Sequence, residues 1–261
     1  KILTERISIM ECLRMNEDDY NRALNGDKNL SGADLSDADL SKEIFLGCDF
    51  SGANLSGTDL SYANLSHARL NLTFLANANL TNVNLYQAHG NPFFSKKAKL
   101  SHAILKSAYL DNVDLNFADL RNANLMGADL TVVNLMGANL SNANFENAKL
   151  LDCNLKDADL VEANFRGAGI GANLNGANMR SANLENATIS PGIGSYLKDV
   201  NLNFANLRNA ILKMVDFRDA SLIYANFENA NLSNANLTGA NQKNVNWKGA
   251  ILDGTRGVEK D

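Results

Sequence analysis

A large apolar residue returns at every fifth position along most of the chain. In the stretch NLSGADLSDADL, residues 29–40, leucine falls at 30, 35 and 40 and alanine at 33 and 38. This spacing matches neither the two-residue period of a strand nor the period of about 3.6 of a helix. The rhythm runs over 30–85 and 100–170, slips by one residue over 174–189, and resumes at Leu197 or Leu202 to end at Leu252.

The positions around the large apolar residue are also constrained. With that residue at position i, position i−2 is nearly always alanine, i−1 is mostly asparagine or aspartate, and i+1 and i+2 are polar or glycine. In an extended segment i−2 and i point to the same side, so both face a core. Asparagine, aspartate, glycine and serine favour turns. A chain that turns once per quintet and always points leucine inward must wind into a coil.

The quintets Ala33-Asp34-Leu35-Ser36-Asp37 and Ala128-Asp129-Leu130-Thr131-Val132 resemble the A-(D/N)-L-x-x motif of the pentapeptide repeat family. The resemblance covers residues 28–252. It implies an all-β solenoid, a right-handed quadrilateral β-helix with four quintets per coil. At a coil spacing of about 4.8 Å, roughly 11 coils make a rod about 50 Å long. Fold does not imply function, and many members, abundant in cyanobacteria, have no assigned activity.

The two ends of the predicted solenoid differ in sequence. Residues 1–27 predict an N-terminal α-helical cap of two helices, because Ile2, Leu3, Ile7, Met10 and Leu13 have helical spacing. Asn16 precedes three acidic residues as an N-cap, and Asn25-Gly26 suits the end of the second helix. A helix pair that binds a partner is the alternative.

The C-terminal end has a different composition. Gln242 and Trp247 occupy i positions, and residues 253–261 form a polar tail that predicts no covering helix. Trp247 either plugs the last coil or pairs with another copy. The chain is therefore expected to be a monomer or a C-terminal end-to-end dimer.

Two segments interrupt the rhythm, at 86–99 and 190–196. The second predicts a turn between coils. The first contains turn residues, two aromatic side chains and two cations, a combination found in contact sites. The candidate contact residues are Phe93, Phe94, Lys96 and Lys97. A loop packed back on the rod, or three irregular quintets, are the alternatives.

Composition argues against several classes of protein. The 261 residues carry a net charge of −5, which disfavours a general binder of nucleic acid or of anionic membranes. No apolar run approaches the roughly 18 residues of a membrane span. A cytoplasmic location is expected, with an exported form the alternative if a leader precedes Lys1.

Candidate chemistry is sparse. Cys12 lies in the predicted cap, and Cys48 and Cys153 replace alanine at i−2, several coils apart, so these two predict no disulfide. The three histidines, His67, His89 and His102, lack ligand spacing, so neither a metal nor another cofactor is expected. The run GAGIGANLNG at 167–176 lacks the setting of a dinucleotide site and coincides with the phase slip, where backbone freedom of glycine is expected to help.

Two functions therefore remain as hypotheses. The first is a non-catalytic structural or protein-binding scaffold with an unknown protein partner. The second is a protein that mimics DNA and binds DNA gyrase or topoisomerase, as the resemblance implies for some members. That second role needs a continuous acidic surface, but residues twenty apart have mixed charges. The two columns are Lys106, Met126, Glu146 and Arg166, and Arg208, Glu228 and Lys248.

Overall fold

The chain winds into a parallel β-solenoid with four quintets per turn. The structure, a computed structural model, describes residues 16–90, 98–190 and 197–259. Parallel backbone bridges join residues twenty apart, as between Asp34 and Asn54 and between Asn54 and Phe74. Successive coils therefore stack as neighbouring strands do. The predicted solenoid is confirmed, and its right-handed sense stays a prediction.

Four faces run along the rod, and each is named by its inward side chain in the first coil. Face 1 begins with Leu30, face 2 with Leu35, face 3 with Leu40 and face 4 with Phe45. Two neighbouring faces meet at a corner. The corner consists of the two residues, i+1 and i+2, that follow the inward side chain of the first of the two faces. The corner between faces 1 and 2 is called corner 1–2, and the others are named in the same way.

The quintet turns because each of its polar positions has a backbone partner. At the first corner the Leu30 carbonyl accepts the Ala33 N–H at 3.1 Å, and Gly32 between them has φ +69°. The Asn29 side chain accepts the Ser31 N–H at 3.2 Å, which ties position i−1 to i+1 across the corner. This bond explains the preference for asparagine and aspartate at i−1, and the left-handed residue explains glycine and asparagine at i+2.

The core is one continuous cluster built from stacked columns of side chains. Leucine, phenylalanine and alanine at i and i−2 are buried along the whole rod. The rings of Phe145 and Phe165 stack directly, with centroids 4.6 Å apart. Because each described coil repeats the arrangement of the one below, burial continues up to the last coil, where Trp247 and Leu252 are only partly buried.

Extended β-structure is limited to one short region of the described chain. Strands β1 (Lys149–Asn154), β2 (Gly169–Asn173) and β3 (Thr188–Ile189) form a parallel sheet in the order β1-β2-β3. Elsewhere each face pairs through single residues at i−1. The faces are therefore narrow ladders, since the next two residues turn away at the corner.

The phase slip lies between β1 and β2. Leu151 pairs with Gly171 and Cys153 pairs with Ala172, so Asp152 has no counterpart. The quintet that starts at Ile170 lacks the left-handed residue present at other corners. Gly169 and Gly171 do not have the positive φ of the turn glycines, so the slip itself uses no left-handed residue, and the expected role of backbone freedom stays a prediction. The corner is made by extended backbone with one residue fewer.

The two interruptions preserve the stacking on either side. His89 bridges both Arg69 and Tyr109, and Lys99 bridges Asn79 and Asp119, all twenty residues apart. The predicted loop at 86–99 is thus too wide, because 86–90 and 98–99 keep the repeat. Residues 91–97 and 191–196 lie outside the described residues. Across the second gap the register grows to twenty-three residues, as between Asn178 and Asn201.

Helix α1 (Glu17–Leu24) closes the lower end of the rod. As predicted, the Asn16 side chain caps it, accepting the N–H groups of Asp18 and Asp19 at 2.9 and 3.2 Å. The helix also satisfies a backbone group at the open edge of the first coil, since the Asp19 carboxylate accepts the Asp34 N–H at 3.0 Å. The first predicted helix, at 2–15, lies outside the described residues.

The upper end extends beyond the predicted boundary at 252. Arg256 still bridges Asn236, one coil below. The Gln242 side chain donates to the Gly257 carbonyl at 2.6 Å and accepts the Glu259 N–H at 3.2 Å. The first residues of the polar tail therefore fold over the last coil. No helix in the described ranges is long and apolar enough to cross a membrane.

Candidate functional site

Much of the surface is occupied by its own hydrogen bonds. On face 4 the Asn164 side chain donates to Asn144 at 3.1 Å, Asn183 donates to Asn164 at 3.2 Å, and Asn206 donates to Asn183 at 3.1 Å. Each of these amides therefore has a partner in the next coil. Such a ladder stabilises stacking and leaves few groups for a ligand.

Charges of opposite sign alternate along corner 4–1. Arg166 lies between Glu146 and Glu185, with N–O distances of 3.4 and 3.9 Å. The series continues through Arg208, Glu228 and Lys248 at distances between 3.6 and 4.0 Å. This ion-pair ladder explains the mixed charges of the two sequence columns. Its carboxylates are neutralised by neighbours.

Carboxylates on two other faces are also neutralised. Arg121 forms a 2.8 Å ion pair with Asp119, and this hydrogen bond lowers the pKa of Asp119. Arg218 does the same at 2.7 Å for Asp216, whose pKa is also lowered. In each pair the arginine follows two residues after the aspartate. The negative charge is thus dispersed among local pairs.

Seven large side chains depart from the usual composition of the corners. They occupy i+2 with φ between 56 and 62° and are 47–61% exposed. The set comprises Tyr62, Leu72, Phe117, Val132, Phe204, Met214 and Tyr224. Left-handed backbone disfavours bulky residues, above all a β-branched one such as Val132. Because about half of each side chain is exposed, its burial contributes little hydrophobic free energy to offset that backbone strain. Large residues at i+2 are visible in the sequence, but their exposure and positive φ are not.

Two of these side chains stack at corner 3–4. The rings of Phe204 and Tyr224 lie 5.4 Å apart and nearly parallel, at 10°. The Arg180 guanidinium lies 5.6 Å from the centroid of Phe204 on the other side. The corner therefore presents an ordered column of one cation and two rings.

Of the contact residues predicted from sequence, Trp247 is the one that lies within the described ranges. Phe93, Phe94, Lys96 and Lys97 lie outside the described residues. Trp247 is half-buried at the upper end, where its ring stacks on Phe227 with centroids 4.8 Å apart. That position agrees with a plug for the last coil. Pairing of Trp247 with another copy stays a prediction.

The described residues contain little reactive chemistry. Burial raises the pKa of Cys153 to about 12, and the Cys153 thiol donates to the Leu130 carbonyl. Burial also raises the pKa of Cys48. No group of three or more histidine, cysteine or acidic side chains in the described ranges is placed to hold a metal ion. The arrangement is suited to surface contact.

The repeat is matched by a known family model. The model for pentapeptide repeats matches in eight copies, and the matched residues are 29–61, 58–89, 96–131, 133–168, 170–190, 201–239 and 230–256, two pairs of which overlap. The chain belongs to the pentapeptide repeat family. The matched ranges also place the gap at 90–95 close to the irregular segment of this pentapeptide repeat protein.

Two solved structures similar to this pentapeptide repeat protein are cyanobacterial proteins. HetL, involved in heterocyst differentiation regulation in the cyanobacterium Nostoc sp. strain PCC 7120, is 29% identical over 90% of this chain and 95% of its own, with a TM-score of 0.40. Rfr23 from the cyanobacterium Cyanothece 51142 is 28% identical over 66% of this chain and 98% of its own, with a TM-score of 0.15.

A third similar structure is QnrB1, a plasmid-mediated fluoroquinolone resistance protein. In one trypsin-treated form it is 21% identical over 61% of this chain and 76% of its own, with a TM-score of 0.46. A search of curated proteins found no match. The function of this pentapeptide repeat protein must therefore be argued from its own surface.

Proposed function

We propose that this protein is a non-catalytic scaffold that binds another protein along the corners of its rod. The observation that carries the proposal is the set of seven large, exposed side chains in left-handed backbone. Val132 has φ 62° and is 47% exposed, and Met214 has φ 59° and is 59% exposed. Neither feature stabilises the isolated rod.

These seven positions cost more conformational free energy than ordinary corners do. A left-handed conformation costs a non-glycine residue roughly 1–2 kcal/mol, and asparagine and aspartate tolerate it best. Asn142 and Asn122 occupy equivalent positions with φ 59 and 58°. A bulky residue there adds strain and exposed apolar area, and a partner that covers the side chain would bury that area and so offset the cost.

The alternative, a mimic of DNA that binds gyrase or topoisomerase, is opposed by charge. Such a mimic needs a run of unpaired carboxylates, as in the phosphate backbone. Here the Asp119 and Asp216 carboxylates are held by arginines, and Glu185 lies between Arg166 and Arg208. The first coils are more acidic but form only a short part of the rod.

An end-to-end dimer through the upper end is a second candidate interaction. Several apolar side chains there are only partly buried, namely Val245, Trp247, Ala250, Leu252 and Val258. A second copy would cover them and extend the core. Sedimentation equilibrium of the chain and of Trp247→Glu tests this, since a dimer must dissociate in the variant and a monomer must be unaffected.

Photo-crosslinking tests the scaffold directly. Benzoylphenylalanine is introduced singly at Tyr62, Phe117 or Met214, and at Asn142 and Asn234 as controls with the same backbone conformation. After irradiation in a lysate of the source organism, the first three are expected to yield a shared protein adduct that the controls lack. Adduct patterns identical at all five positions would contradict the proposal.

A further inference from the structure

Four successive coils in the upper half of the rod carry a distinct set of side chains at corner 3–4. Arg180 is followed one coil above by Phe204, then by Tyr224 and then by Lys243. Backbone hydrogen bonds join these coils at the corner, from the Phe204 N–H to the Ile223 carbonyl at 2.9 Å and from the Tyr224 N–H to the Lys243 carbonyl at 3.0 Å. We name Arg180, Phe204, Tyr224 and Lys243 the Arg–Lys column.

The two rings of the column are ordered but accessible. The Phe204 ring lies between the Arg180 guanidinium, 5.6 Å from its centroid, and the Tyr224 ring, 5.4 Å away and nearly parallel. Its two faces are therefore turned toward neighbours of the column, and the part of the ring that points outward is its edge. The edge carries the positive part of the aromatic quadrupole. The column thus presents a positive ring edge between two cations.

The two cations of the column have no carboxylate partner. Both the Arg180 and the Lys243 side chains are exposed, and neither forms an ion pair with any residue that the structure describes. Arg121, lower on the same corner, differs because it holds Asp119 at 2.8 Å. The charges of the column are therefore available to a ligand.

The surface around the column lacks carboxylates of its own. In these four coils, corner 3–4 and the adjoining rows of faces 3 and 4 are formed by residues 178–184, 201–207, 221–227 and 241–247. None of these residues is aspartate or glutamate. Position i−1 of face 3 holds asparagine or serine here, whereas Asp119 and Asp159 hold it lower on the rod. The change from acidic to neutral residues makes this part of the surface positive.

The carboxylates that border this surface leave its positive charge in place. On corner 4–1, Glu185 and Glu228 each lie between two cations of the ion-pair ladder. Glu162 lies one coil below Arg180, and Glu259 lies in the tail that folds over the last coil. Neither of these two forms an ion pair with the column. An anion that approaches along corner 3–4 therefore meets two cations and no carboxylate between them.

From these features we infer that the Arg–Lys column binds an extended acidic segment of a separate protein partner. The inference rests on the proposed scaffold function, because Phe204 and Tyr224 are two of the seven bulky corner residues, and it names the chemistry that this corner recognises. Complementary charge gives such a contact its specificity.

The spacing of the two cations defines the segment further. Arg180 and Lys243 stand three coils apart, which is roughly 14 Å at a coil spacing of about 4.8 Å. Four residues of an extended chain span about 13 Å, and residues two and four apart point to the same side. Two carboxylates four positions apart can therefore meet both cations, and the side chain midway between them lies against the rings.

The test uses the full chain and a fluorescein-labelled peptide, with anisotropy as the readout. The peptide has two glutamates four positions apart, a leucine midway and glycine and serine elsewhere. Saturable binding is expected, with affinity that falls as salt rises. A reference peptide of the same composition with adjacent glutamates reaches only one cation and should bind about fivefold more weakly. Absence of saturable binding, or equal affinity for the two peptides, would overturn the inference.

Charge variants assign the binding to the column. Arg180→Gln combined with Lys243→Gln should weaken binding about tenfold. The matched control, Lys106→Gln with Lys213→Gln, removes two exposed cations from other corners and should leave affinity within about twofold. Unchanged unfolding midpoints verify that both variants remain folded. Equal losses in the two double variants would contradict a site at the column.

A further pair of variants separates the rings from the charges. Phe204→Asn combined with Tyr224→Asn should weaken binding severalfold, whereas Tyr62→Asn, at the same corner and 61% exposed, should not. Tighter binding of a single-stranded oligonucleotide at the column would overturn the inference, because the partner would then be a nucleic acid. Self-association of the chain that the charge variant abolishes would also overturn it, because the occupant would then be a second copy.

Failure here is distinguishable from failure of the scaffold proposal. Specific adducts at Tyr62, Phe117 or Met214 without peptide binding at the column would overturn only the column inference. Peptide binding that the column variants abolish, without any specific adduct at those three positions, would support the column and contradict the use of the other bulky corners.

Discussion

The Cys153 thiol donates a hydrogen bond of 2.7 Å to the carbonyl of Leu130, one coil below. Threonine makes the same contact elsewhere, from Thr58 to Leu35 at 2.8 Å and from Thr73 to Phe50 at 2.9 Å. A small polar side chain at i−2 thus ties neighbouring coils together through a carbonyl that already accepts a turn hydrogen bond.

Variants that replace this thiol are therefore expected to differ in their free energy of unfolding. Cys153→Thr should be as stable as the parent, whereas Cys153→Ala should lose about 1 kcal/mol because a buried hydrogen bond is removed. Urea unfolding followed by circular dichroism measures the difference. An alanine variant more stable than the threonine variant would show that the contact does not stabilise the rod.

The ion-pair ladder of corner 4–1 predicts a dependence on salt. Glu185 contacts Arg166 at 3.9 Å and Arg208 at 3.8 Å, so Glu185→Gln removes two attractions at once. Exposed pairs contribute little singly, and a loss of about 0.5–1 kcal/mol is expected at low salt. The loss should shrink in 1 M salt because the Debye length falls to about 3 Å. A loss that is independent of salt would refute an electrostatic origin.

Acid unfolding should depend on the arginine-held aspartates. The hydrogen bond from Arg218 lowers the pKa of Asp216 below its ordinary value of 3.8. Its stabilisation is therefore complete above pH 3.8 and is lost as the pH falls through the lower folded value. Asp216→Asn should be less stable at neutral pH and should lose less stability on acidification. Asp119→Asn should add to the effect, since Arg121 lowers the pKa of Asp119 in the same way. Identical pH profiles of parent and double variant would contradict this assignment.

The sequence predicts the solenoid well because its repeat is enforced by sterics and burial at every coil. Leu35 and Ala38 reveal their burial through spacing alone. The slip at Ile170 was visible as a change of phase, but its mechanism was not. Gly171 lies in extended backbone, and the missing residue is the left-handed one, a fact that depends on which positions pair across coils.

The surface contacts were less accessible to sequence reasoning. The distance between Glu146 and Arg166, or the stacking of His89 on Tyr109, follows from the twenty-residue stack once the coil is known. The seven bulky corner residues also needed structure, because their exposure and positive φ together make them unusual. The predicted contact at Phe93 and Phe94 stays a prediction.

The central claim is that bulky corner residues are retained for contact and not for stability of the rod. The direct measurement is the free energy of unfolding of Val132→Asn and Met214→Asn, with Asn142→Val as the reverse change at an equivalent corner. Both asparagine variants should be more stable by about 1 kcal/mol and the valine variant less stable by a similar amount. Destabilised asparagine variants would show that these side chains stabilise the rod itself and would contradict their retention for contact with a partner.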